Sequence, residues 1–219
     1  MQMPSRTILC FGDSNTHGTV PMATVTDRDR YDKPDRWTAV MAAALPPTWD
    51  VIAEGHPGRT AVWDDPIEGL HKNGSRALSA ILESHRPIDL VILALGTNDL
   101  KSRFGLSAHD VALGLQRLTI DIRASDCGPG GSAPDVLLVA PVAVSEVGIF
   151  EHVFAGAAEK SRQLPPVLHA IANRHGVGFV DLNTVARVDP VDGIHLGRDA
   201  HTKIGAAMAD AVANRLGHP

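Results

Sequence analysis

Cysteine is scarce in this chain: Cys10 and Cys127 sit in unrelated contexts and form no Cys-x-x-Cys pair. That excludes a thiol redox motif and a cysteine-based zinc site, and it suits a reducing compartment. Long apolar runs are also missing. None approaches the roughly 20 residues needed to cross a bilayer, and no apolar region with a cleavage site follows residues 1–6. The expectation is a soluble, cytoplasmic protein with no membrane partner. Basic residues are scattered and the formal charge is −5, so nucleic acid is not an expected partner. Neither a Gly-x-x-x-x-Gly-Lys-Ser/Thr loop nor a Gly-x-Gly-x-x-Gly fingerprint occurs, which removes the common phosphate-binding readings. There is no internal repeat and no low-complexity tract.

What remains is an ordinary globular composition, with 44% hydrophobic and 21% charged residues, long enough to bury a core without disulfides. One domain over residues 1–219 is expected. Continuous apolar runs at residues 7–11, 90–95, 136–140 and 177–180, with a weaker one at 49–53, read as strands buried on both faces of a parallel sheet. Helical stripes alternate with them: Trp37, Val40, Met41, Ala44 and Leu45 with Asp35 as cap; Leu78, Ile81 and Leu82; Val111, Leu115, Leu118 and Ile122 behind a capping-box start at Ser107. Two more follow, Val167 to Ala172 and Ile204 to Val212. Pro165-Pro166 is expected to open the fourth of these and to kink any helix arriving from upstream. Alternation of this kind predicts a three-layer α/β/α fold, a flavodoxin-like doubly wound parallel sheet of five strands, with ligands bound beyond the carboxyl ends of the strands.

The residues after the strands therefore carry the functional reading. Gly12-Asp13-Ser14-Asn15 follows the first run. A serine there presents a hydroxyl to the crevice, but it needs a base and a group that orients the base; as a motif on its own, the segment reads more readily as a turn. After the last strand, Asp192-Gly193-Ile194-His195 puts a carboxylate and an imidazole on one short loop, where the first fixes the tautomer of the second. Asp199 and His201 crowd the same segment, but no further ligand set accompanies them and no metal is expected. Asn98, in Gly96-Thr97-Asn98-Asp99 after the third strand, is a candidate amide donor to an oxyanion. The glycine-bearing segment 54–60 after the second strand offers backbone N–H groups to the same point. Four such segments at the ends of four strands describe one hydrolytic site better than four unrelated turns.

With these motifs together, the chain resembles the SGNH (GDSL-like) hydrolases over nearly its whole length. The resemblance implies Ser14 as nucleophile, His195 as base, Asp192 as its orienting acid, and the backbone N–H groups of Ser14 and Gly58 with the side chain of Asn98 as oxyanion donors. No Gly-x-Ser-x-Gly elbow supports the α/β-hydrolase alternative. Residues 12–18, 36–38, 54–60, 64–66, 89–99 and 191–195 look closest to bacterial arylesterases and acyltransferases of that family. This implies cofactor-free cleavage of small carboxylic esters through an acyl-enzyme, with acyl transfer to alcohols as a variant, and a homo-oligomer of octameric or other higher order. The family motif more often has leucine where Asn15 stands. Asp13, Asn15, Trp63, Phe154 and Ile194 are the expected substrate contacts, while His17, His56 and Arg59 receive no catalytic role; Arg59 is expected to meet Asp64 or Asp65. A carbohydrate acetylesterase or thioesterase would use the same residues, and a non-catalytic flavodoxin-like binding module is the alternative from another class.

Overall fold

A computed structural model describes residues 5–217; the remainder of the amino-terminal segment read above lies outside the described residues. Five strands, β1 (Arg6–Gly12), β2 (Trp49–Gly55), β3 (Leu90–Ala94), β4 (Asp135–Ala140) and β5 (Gly178–Asp181), form one all-parallel sheet in the order β2-β1-β3-β4-β5. Six helices accompany it: α1 (Ser14–His17), α2 (Trp37–Ala44), α3 (Gly74–His85), α4 (Ala108–Ala124), α5 (Ala157–His175) and α6 (Arg198–Leu216). The doubly wound architecture expected from the strand–helix alternation is the one observed.

Strand β1 shows why the runs are continuous. Leu9 and Phe11 enter the core under α3, α4 and α5, whereas Ile8 and Cys10 enter the core under α2 and α6. All four are fully buried, and burial of side chains such as Ile8, Leu9 and Phe11 contributes roughly 1.5–3 kcal/mol each.

Helix boundaries follow local chemistry. Ser107 and Asp110 form a reciprocal capping box at the start of α4, and Asn73 caps α3 by accepting from the Ser75 N–H at 3.0 Å. Two expectations are corrected. Asp35 does not cap α2; it closes a 3-10 turn, Lys33–Asp35, and pairs with Arg198, so Arg36 takes the cap position without a side-chain bond. Pro165 and Pro166 do not open a helix but lie inside α5. The buried stripe Ala157, Ser161, Leu164, Leu168 and Ile171 keeps helical spacing across them, and its packing outweighs the backbone donors that proline lacks.

Sheet order places the switch in winding direction between β1 and β3. A crevice opens there beyond the strand ends. Among the described residues no helix is long and apolar enough to cross a membrane.

Candidate active site

Helix α1 begins immediately where β1 stops. Asp13 caps it, accepting from the Asn15 N–H at 2.9 Å, and Ser14 is its first residue. Gly12 is required by proximity: a Cβ there would lie 2.0 Å from Thr16 Oγ1. Ser14 is 5% exposed and faces a cleft of about 420 Å³ that it shares with Gly58, Asn98, Ile194 and His195. Thus the serine, glycine, asparagine and histidine, distant in sequence, line one cleft.

The loop between β5 and α6 carries the acid and the imidazole. His195 Nδ1 donates to Asp192 Oδ2 at 2.6 Å, which leaves Nε2 as the basic nitrogen. Asp192 also accepts from the N–H groups of Ile194 (3.0 Å), His195 (2.9 Å) and Met22 (2.8 Å). Complete burial would raise its carboxyl pKa, but the His195 ring and these donors outweigh that effect and hold it below the usual carboxylate range. The turn between them needs Gly193, whose φ is +71°; a Cβ there would lie 2.0 Å from the Ser145 carbonyl. Ser145 N–H donates to the Gly193 carbonyl, which pins this loop to the one after β4.

Asn98 sits in a 3-10 turn after β3, and its buried Nδ2 has no hydrogen-bond partner among the described residues. An orphaned buried amide is costly unless something binds it. Beside it, Asp99 accepts from the Ala61 N–H at 2.9 Å, tying the loop after β3 to the loop that carries Gly58. Burial raises the Asp99 pKa to about 7, with Asp13 adding in the same direction.

The second half of this tie was not legible in the sequence. Asp65, fully buried, accepts from Arg103 at 3.1 Å and lies 3.6 Å from Lys101, which is itself 4% exposed. Glu68 completes the cluster at 2.5 Å from Lys101 and 3.3 Å from Arg103. Charges more than 30 residues apart meet here, and no local pattern records such a pairing.

Other residues occupy different positions from those expected. Trp63 does not line the cleft. Its turn is closed by the Thr60 hydroxyl donating to the Trp63 carbonyl at 2.6 Å, and its indole lies toward Gly114 of α4. Asp13 and Asn15 line a separate cavity of about 30 Å³ that Ser14 does not line, with Trp37, Thr97, Leu182 and Met208. Phe154 and Ile194 do line the cleft, and the Phe150 ring stands 5.9 Å from that of His195. Arg59 reaches neither Asp64 nor Asp65. It donates to the Gly12 carbonyl (2.9 Å) and the Glu54 carbonyl (2.5 Å) with its guanidinium 4.2 Å over the Phe11 ring, because Arg76 and Asn73 occupy Asp64 while Lys101 and Arg103 occupy Asp65. His17 lines the cleft, and burial pushes its pKa down to about 4. Among the described residues no cluster of three or more His, Cys, Asp or Glu side chains is arranged to hold a metal.

A family model for the GDSL-like lipase/acylhydrolase family matches residues 10–203. Among solved structures, a carbohydrate acetylesterase from Sinorhizobium meliloti is 39% identical with a TM-score of 0.92, covering 96% of this chain and 100% of its own. The native aryl esterase of M. smegmatis is 37% identical with a TM-score of 0.91 (96% and 99% covered), and a second carbohydrate acetylesterase family member from S. meliloti is 35% identical with a TM-score of 0.89 (97% and 99%). Comparison with curated proteins finds no match.

Proposed function

The chain belongs to the GDSL-like lipase/acylhydrolase family and is a carboxylic ester hydrolase, and from that premise we propose that it works through Ser14, His195 and Asp192 on esters of small acyl groups. The observation that carries the assignment is the buried 2.6 Å bond from His195 Nδ1 to Asp192, on a loop facing the same cleft as Ser14. It fixes the tautomer in which Nε2 accepts a proton.

In the proposed reaction, Ser14 Oγ bonds to the ester carbonyl carbon as its proton passes to His195 Nε2. Charge builds on the carbonyl oxygen, where the Asn98 amide and the Gly58 and Ser14 N–H groups are the donors; loss of one such donor costs about 10²–10³ in rate. Collapse breaks the carbonyl–alkoxy bond, and the departing alcohol takes the proton from His195. Water, deprotonated by His195, then attacks the acyl-enzyme and releases the carboxylic acid and free Ser14. An alcohol in place of water gives a new ester.

Substrate preference follows from the two sides of the cleft. Phe150, Val153, Phe154 and Ile194 supply apolar surface, whereas Glu68, Lys72, Lys101 and Arg103 supply charged surface. Because Lys101 and Arg103 are already paired with carboxylates, that side offers donors and acceptors with little net charge. This suits a neutral hydroxyl-rich alcohol and favours acetylated carbohydrates as a second reading beside aryl esters.

A fluorophosphonate probe and an aryl acetate test the assignment together. Native protein is expected to be labelled at Ser14 and to hydrolyse the ester, and Ser14→Ala to do neither. Equal hydrolysis by the two proteins would refute the nucleophile, and an unlabelled native chain would favour a binding module.

A further inference from the structure

Asn15, the residue after the proposed nucleophile, makes an unusual pair of contacts. Its Nδ2 donates to the Ile194 carbonyl at 3.1 Å, and its Oδ1 accepts from the Leu196 N–H at 3.1 Å. Ile194 and Leu196 flank His195. One carboxamide thus straddles the imidazole-bearing residue from a distance of about 180 positions in the chain, binding the backbone on either side of it as a neighbouring strand would.

We propose that Asn15 is a positioning residue that locks the nucleophile's turn to the loop of the general base. The proposal rests on the assignment of Ser14 and His195 given above, and it replaces the expectation that Asn15 contacts substrate. Three features support it. First, the other anchors of the 189–197 loop go elsewhere: Asp192 to Met22, Gly193 to Ser145. Among the described residues, the two Asn15 bonds are the hydrogen bonds that join this loop to the turn of Ser14. Second, the amide is held at both ends, because the Asn15 N–H is itself fixed to Asp13 Oδ1 at 2.9 Å. Backbone and side chain together leave little play between Ser14 and His195. Third, Asn15 lies in the wall of the small cavity behind the nucleophile and not among the cleft residues. A substrate in the cleft is approached by Ser14 and His195, while Asn15 acts from behind.

Chemistry also sets the residue type. A carboxamide carries a donor and an acceptor on one planar group and so meets a carbonyl and an N–H two residues apart at once. Leucine at this position, which is the commoner residue of the motif, would fill space and leave both backbone groups without these partners. Displacement of a base by about 1 Å from its nucleophile costs on the order of 10²-fold in rate.

The test uses the full chain with Asn15→Leu, Asn15→Ala and Asn15→Asp, and with Ser14→Ala as reference. Turnover of an aryl acetate, KM and the rate of fluorophosphonate labelling are measured per folded active site, with Tm recorded alongside. Positioning predicts that kcat and the labelling rate fall together by about ten- to a hundredfold while KM stays within about threefold. Asn15→Asp matters most, because it is isosteric and keeps the acceptor for Leu196 N–H but sets a carboxylate oxygen against the Ile194 carbonyl. If the leucine and alanine variants do not fold, this one decides. A kcat per folded site within twofold of the parent overturns the proposal, as does a change confined to KM, which would return Asn15 to substrate contact. Failure of all three variants to fold overturns it in favour of a purely structural role. If Ser14→Ala retains activity, it is the nucleophile assignment that has failed.

Discussion

At the scale of single side chains, the protonation of Asp99 is coupled to folding. It is fully buried, Oδ2 has no partner among the described residues, and burial lifts its pKa from 3.8 to about 7. Between those two values the native state retains a proton that the unfolded chain has released, so this group lowers stability progressively as pH rises from about 4 through about 7. Asn in its place still accepts from the Ala61 N–H and cannot ionise. Asp99→Asn is therefore expected to gain stability relative to the parent across that window and to keep the gain above it; urea unfolding at intervals from pH 4 to pH 8 reads it. A difference independent of pH would show that the carboxyl is already neutral, or already charged, throughout. Asp192 illustrates the opposite outcome for a buried carboxyl. Its three backbone donors and the His195 ring hold the ionised form, which is what the orienting role proposed for it requires.

At the scale of elements, the site is built from loops, and side chains join the loops. Asp65 and Glu68, on the segment that follows Gly58, hold Lys101 and Arg103, on the segment that follows Asn98. Removing one partner of a buried pair leaves an uncompensated charge and typically costs about 3–5 kcal/mol. Asp65→Ala is expected to lose less than that, about 1–3 kcal/mol, because Glu68 still pairs with both Lys101 and Arg103 while the Ile67 and Glu68 N–H groups lose their acceptor. Asp65→Asn preserves the acceptor and is expected to lose less. Denaturant unfolding of both gives the comparison, and equal losses would locate the effect in the charge and not in the turn. Local patterns foretold the ends of these elements unevenly. The Ser107 capping box was readable because its partners lie three residues apart. The passage of α5 through Pro165 and Pro166 was not, since the force that carries it is burial of Ser161, Leu164 and Leu168 against other elements.

For the whole molecule, the order β2-β1-β3-β4-β5 brings the ends of β1 and β3 to the switch point, with the loop that follows β5 reaching the same cleft. The family resemblance also implies a homo-oligomer. We propose that assembly, and light scattering is expected to give a mass well above the 23.2 kDa of one chain; a monomer mass would exclude it. The sequence by itself determined the layer architecture, because runs buried on both faces and stripes of helical period are local properties that report which surfaces avoid water. It also determined the residue types of the candidate site, because Ser14, Asn98, Asp192 and His195 stand in short motifs at strand ends. Only the tertiary structure decided what those residues touch. Trp63 turned from the cleft toward α4, Arg59 went beneath the turn of Ser14 to backbone carbonyls, and Asn15 bound the backbone on both sides of His195. The Asn15 bonds span about 180 residues and the Arg59 bond to Gly12 spans 47, while Trp63 packs toward a helix about 50 positions on, and chain proximity encodes none of these.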